Sequence, residues 1–171
     1  MFSMLSIIHY FSFMKAASSK ELKIELEHLP PQELIPLILR LTRYKKENKE
    51  LLTYLLFEAM DEQSYIAAVK TEIDLQLLNL NISSYFLAKK TIRKIIRTAG
   101  KFIKYSGAKQ TEIEVLMHVC DQVKQSGLNL TKSTALTNIY AAQLKKINAA
   151  LATLHEDLQY DYVKELDRLG L

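Results

Sequence analysis

Lys89, Lys90, Arg93, Lys94, Arg97, Lys101 and Lys104 are the side chains of this sequence best placed to do chemistry, and that chemistry is the neutralisation of a polyanion. At about 100° per residue all seven project within an arc of about 140° on a single helix. Ile92, Ile95, Ile96, Ala99, Phe102 and Ile103 take the opposite side. A row of ammonium and guanidinium groups offers point charges and planar forks to phosphate or carboxylate oxygens.

The row weakens its own helix. Like charges at i,i+4 (Lys89/Arg93, Lys90/Lys94, Arg93/Arg97, Arg97/Lys101) each destabilise an isolated helix by about 0.2–0.5 kcal/mol. Compensation can come from an external polyanion, from acids elsewhere in the fold, or from water and salt alone. Eight of the 23 Lys and Arg residues lie in the acid-free window 89–109, leaving 15 against 19 Asp and Glu in the rest of the chain. The protein is therefore dipolar rather than uniformly basic, the footprint expected of a surface that meets phosphate backbones or acidic proteins. Three readings stand side by side: a solvated face partly paired with the acidic C-terminal segment, a nucleic-acid surface, and a surface for an acidic protein or a membrane.

No other constellation amounts to a reaction. His9, His28, His118 and His155 are scattered without ligand spacing. His118 and Cys120 stand two apart, so on a helix they point about 200° from one another and cannot share a metal. Cys120 is the single cysteine; it excludes an intramolecular disulfide and reads as a small core residue. GKFIKYSGA, from Gly100, lacks the GK[ST] ending of a phosphate-binding loop. Asp157, Asp161 and Glu165 share a helix face, with no Glu-x-x-His elements to complete a di-metal site. Among the aromatics near the basic row, Tyr85 and Phe102 project to the apolar side, whereas Phe86 falls within the basic arc, where a base can stack on it. No catalytic residue, cofactor or metal is expected.

The elements that must hold the row are helices. Four glycines and three prolines suit long helices better than tightly turned strands. Ser18 and Glu21 form a capping box for a helix to about Leu29, and Pro30-Pro31 ends it and opens the next. That second helix, about 31–45, has an expected buried stripe of Leu34, Ile35, Ile38 and Leu41, with Pro36 kinking it or marking its true start. Asn48 is the expected N-cap of a third helix over 49–60, with Leu51, Leu52, Leu55 and Leu56 inward. Asp61 caps a fourth, about 62–79, which carries Ile66, Val69, Ile73, Leu77 and Leu80. Ser83 or Ser84 opens the basic helix, 84–105, and Gly107 closes it. Thr111 and Glu114 read as a capping box for a sixth helix over 112–125.

Residues 133–169 contain neither Gly nor Pro. Tyr140, Leu144, Ile147, Leu151, Leu154 and Leu158 step by 4, 3, 4, 3 and 4, an a/d seam. It serves either as the spine of a central helix on which the others pack or as a homodimeric coiled-coil seam. The segment makes one helix of about 50 Å or breaks near 153–156.

With 49% hydrophobic and 25% charged residues, 18–171 reads as one all-α domain. The expected architecture is an irregular bundle or short HEAT-like αα array of six to eight helices with a long C-terminal helix. The apolar run 1–13 is shorter than the roughly 20 residues of a spanning helix, so no integral membrane insertion is expected. Residues 1–17 read as a disordered tail or a mis-assigned start, with Met14 as the other initiator. A signal-like or membrane-associating segment and a packed helix are the remaining readings. A lone cysteine fits a cytoplasmic location.

The stretch 20–56, KELKIELEHLPPQELIPLILRLTRYKKENKELLTYLL, resembles the opening of a family of uncharacterised small α-helical bacterial proteins. The likeness lies in a short helix, an LPPQEL break, and an LILRL helix followed by a charged YKKENKE turn. It implies helical architecture and carries no activity. A weaker likeness is to HEAT-type helical arrays, some of which grip DNA with basic inner helices; it implies architecture alone. The function expected is a non-enzymatic binding module whose basic helix contacts an anionic macromolecule, nucleic-acid backbone first and acidic protein second. The alternative is a protein–protein scaffold or homodimer built on the 140–158 seam.

Overall fold

The computed structural model describes residues 16–171; the expectations placed on 1–15, with His9 and Met14 among them, lie outside the described residues. Among the described residues all regular structure is helical, in eight α-helices, and the all-α class holds. No helix there is long and apolar enough to cross a membrane. The chain divides into two compact units, Met1–Lys49 and Glu50–Leu171.

The first unit carries α1 (Ser19–His28) and α2 (Pro31–Tyr44). The capping box forms: Ser18 Oγ accepts from the Glu21 N–H at 3.3 Å, and the Glu21 carboxylate accepts from the Ser18 N–H at 2.7 Å. Pro31 takes the first turn of α2 and the helix continues through Pro36. Neither helix buries a residue. The expected buried stripe is therefore corrected: Ile35 is 61% exposed, Ile38 and Leu41 are exposed, and Leu34 is half-buried. Periodicity identifies an apolar face, not a neighbour that covers it. Asn48 is corrected too. It does not open a helix; its amide Nδ2 donates to the Leu41 carbonyl at 2.8 Å, satisfying one of the orphan acceptors at the end of α2.

α3 (Lys46–Thr53) runs across the division into a π-turn, Tyr54–Glu58, closed by the Ala59 N–H on the Tyr54 carbonyl at 2.9 Å. A π-turn holds an extra residue and rotates the face that follows. Tyr54 is buried in consequence, while Leu55 and Leu56, expected inward, are 55% and 61% exposed.

The second unit continues with α4 (Glu62–Leu77), α5 (Tyr85–Ser106), α6 (Lys109–Gln125), α7 (Thr134–Leu151) and α8 (Glu156–Leu169). α6 is the centre. One side, Val115, Val119 and Val123, joins a core with Val69 and Ile73 of α4 and Ile92 and Ile95 of α5. The other side, Ile113, Leu116, Met117 and Cys120, joins a second core with Ile147 and Leu151 of α7 and Leu166 of α8. The helix expected to be the spine is therefore peripheral to α6. The long C-terminal segment breaks at 152–155, and His155 opens α8 by accepting the Asp157 N–H on Nδ1 at 3.4 Å. α8 is lightly held. Leu166 is its one buried residue, Tyr162 donates to Glu114 at 3.2 Å, and Lys124 Nζ donates to the terminal carbonyls of Leu169 and Gly170 at 2.9 and 2.8 Å.

Thr111 is not a capping residue: α6 starts earlier, at Lys109, and Thr111 is fully buried with its hydroxyl donating to Glu62. Glu62 also accepts from Tyr54 at 2.7 Å and from Ser106 at 2.5 Å, so one carboxylate ties the start of α4 to the π-turn, the end of α5 and the start of α6. Burial pushes the Glu62 pKa up, but the Ser106, Thr111 and Tyr54 donors together outweigh it and the pKa is lowered. A depressed carboxylate stabilises the fold above its unfolded pKa, and the contribution is lost as pH falls through the folded value. Glu62→Gln should cost about 1–3 kcal/mol at neutral pH. It should also flatten the acid limb of stability, measured as urea midpoints between pH 7 and 3. Parallel losses in wild type and variant would refute the assignment.

Candidate functional site

α5 carries the basic row as the sequence places it. Ser84 Oγ accepts the Leu87 N–H at 3.4 Å to start the helix. Gly107 ends it at φ +70°, a left-handed cap that a side chain would strain, with its N–H on the Ile103 carbonyl at 2.9 Å. Ala88, Ile92, Ile95 and Ala99 are buried, which fixes the rotation of the helix and turns the opposite arc to solvent.

That arc divides. Lys101 Nζ sits 2.7 Å from the Glu50 carboxylate and 4.6 Å from the Phe102 ring centroid, so it is held within the fold. Lys90, Arg93, Lys94, Arg97 and Lys104 are exposed and Lys89 is half-buried. Among the described residues none of these six has a carboxylate within ion-pair distance. The acidic C-terminal segment does not serve them: Glu165 pairs with Arg168 of its own helix at 2.5 Å, and Asp157 lies 3.4 Å from His155.

Lys89, Lys90, Arg93 and Arg97 form one wall of a groove of ≈ 940 Å³ between α5 and α7, with Phe86 at its end. Phe86 is 70% exposed, with Lys89 Nζ 5.8 Å from its ring centroid. Ile96 and Ile139 line the groove between the helices, and α7 supplies Ala135, Asn138, Ala142 and Gln143. Lys94 and Lys104 are outside the groove; they extend the positive field beside it and beyond it. From Phe86 to Arg97 the wall is about 16 Å long at 1.5 Å per residue.

The α7 wall was not read from the sequence. Ala135 and Ala142 stand seven apart on one helix face, small residues that leave room between neighbouring helices, and that spacing was the available signal. Gln143, beside the seam, had none.

The seam residues are used inside the chain. Ile147 and Leu151 are buried, and Tyr140, Leu144 and Leu154 pack against the second core; Leu158 is exposed, at 36%. Burial raises the Tyr140 hydroxyl to about 12 and the Cys120 thiol to about 12, which leaves Cys120 protonated and inert. His118 contacts Asp74 at 2.6 Å, away from Cys120. Among the described residues no group of His, Cys, Asp and Glu could hold a metal ion.

Compared with protein-family models, with curated proteins and with solved structures, the chain finds no match.

Proposed function

We propose that this protein is a non-enzymatic binding module whose basic helix holds a nucleic-acid backbone. The observation that carries the reading is the row Lys89, Lys90, Arg93 and Arg97, unpaired with any acid among the described residues and aligned along a single groove wall. Lys94 and Lys104 add to the field, and Lys101, tied to Glu50, lies at its edge. Charge held in one open line, with its helix carrying the repulsion, fits a ligand that brings several negative charges at once. Contacts of this kind position a backbone and read no sequence. A cytoplasmic place goes with this reading, since a lone buried cysteine needs no oxidising compartment.

The test is fluorescence anisotropy of the full chain with a mixed-sequence single strand between about 50 and 200 mM salt. Four phosphate contacts give an expected slope of about −3 in log K against log salt, at about −0.7 per contact. Absence of binding at 50 mM salt would overturn the reading.

A further inference from the structure

We infer that the groove between α5 and α7 takes an unpaired nucleic-acid strand, with a base lodged over Gln143. This rests on the backbone reading above and adds what the other wall requires.

Gln143 is 5% exposed and lines the groove. Its Nε2 donates to the Ile139 carbonyl at 3.1 Å. A carbonyl oxygen can only accept, so the amide must present its nitrogen there and its oxygen elsewhere. Among the described residues that oxygen is the one buried side-chain polar atom without a partner. Gln143 also borders an inner void of ≈ 10 Å³, lined by aliphatic side chains such as Ile92, Val119 and Leu136 and by Tyr140 and Cys120, neither of which hydrogen-bonds to the Gln143 oxygen. That space is at the lower limit for a single water. Gln143 lines the groove as well, so a ligand seated there supplies the missing donor once the amide oxygen, enclosed as it stands, turns to the groove face.

This requirement sorts the polyanions. Phosphate and carboxylate carry no donor at neutral pH, and a helical acidic peptide spends its backbone N–H groups on itself. Every unpaired base offers an N–H on its pairing edge, and in a duplex those edges face each other. Phe86, exposed at the groove end inside the basic arc, supplies a flat surface on which a second base can stack. Phosphates on Lys89, Lys90, Arg93 and Arg97, a stacked base at Phe86 and a bonded base at Gln143 together describe a single strand along about 16 Å of groove.

The experiment uses the full chain with four probes at one salt concentration: a mixed-sequence 15-mer, its duplex, an abasic strand of the same length, and inorganic polyphosphate. The expected order is the 15-mer at least about ten-fold tighter than each of the others, from stacking and base bonding. Gln143→Met keeps the volume and removes the orphan acceptor, so its melting temperature should hold or rise while 15-mer affinity falls about five- to ten-fold and polyphosphate affinity is unchanged. Phe86→Ala, on the surface, should do the same to affinity. Equal binding of all four probes, with both variants unaffected, overturns this inference and leaves the backbone reading intact. Duplex binding as tight as the single strand, or polyglutamate displacing the 15-mer more strongly than polyphosphate does, also overturns it. No binding by any probe overturns both.

Discussion

Arg93→Glu with Arg97→Glu is expected to weaken single-strand binding by at least about 25-fold at 0.1 M salt. Each lost phosphate contact removes a factor of about five at that concentration, taking about 0.7 of a log unit per contact, and the new carboxylates add repulsion. The slope of log K against log salt should fall by about 1.4. The same two substitutions should stabilise the fold. Lys89, Lys90 and Lys94 each repel Arg93 or Arg97 at i,i+3 or i,i+4, and each would gain an acidic neighbour instead, worth about 1 kcal/mol together. Both arginines are exposed, so no core contact is lost. A binding defect with a raised melting temperature is the signature of a surface kept charged for a ligand. Unchanged affinity would remove α5 as the binding element.

Ile147→Lys tests the other use of the sequence. Ile147 is 0% exposed and sits against Ile113, Leu116, Met117 and Cys120. A lysine there must bury an ammonium among aliphatic groups or open α7 away from α6, a loss of about 4–5 kcal/mol or more. That is a large share of the roughly 5–15 kcal/mol that holds an ordinary domain. The loss belongs to the single chain, so the melting temperature of wild type and variant should be independent of protein concentration over about 1–100 µM. A homodimeric seam predicts the opposite: a wild-type melting temperature that climbs with concentration, and a variant that stays folded as a monomer. Sedimentation of the variant distinguishes the two.

The basic helix was legible almost residue by residue because its two faces differ in every position that matters. Ser84, one of the two caps expected, Gly107 and the buried Ile92, Ile95 and Ala99 follow from local rules. What escaped was everything set by a neighbour. The seam at Tyr140 to Leu154 has heptad spacing, yet heptad spacing reports a covered stripe and not whose side chains cover it; α6 of the same chain does. α6 reads in sequence as one helix among several, although Ile113, Val115, Leu116, Met117, Val119 and Cys120 give it an apolar arc wide enough for two cores, with Glu114, His118, Asp121 and Gln125 on the remaining polar stripe. The inward side of Leu55 and Leu56 failed for a local reason: assuming 3.6 residues per turn across a π-turn carries the phase to the wrong face. For the site, the charged wall was visible and the amide wall was not. Gln143 acquires meaning only from the groove beside it and the carbonyl of Ile139 behind it, and neither is a property of sequence spacing.

The thin attachment of α8 has a consequence in time rather than in space. Fourteen residues moored by Leu166, the half-buried Tyr162 and Leu169, one tyrosine–carboxylate bond and one lysine on the terminal carbonyls can detach without disturbing the core around Ile73 and Ile95. The amides of α8 should therefore exchange with solvent deuterium well before those of α4, α5 and α6, through an opening that uncovers the Met117 side of α6 while the groove keeps its shape; equal protection across all four helices would rule this out. With α8 opening first, the molecule lives as two clocks on one chain: a slow one that governs whether the basic wall exists, and a fast one that governs how often the far side of α6 meets water.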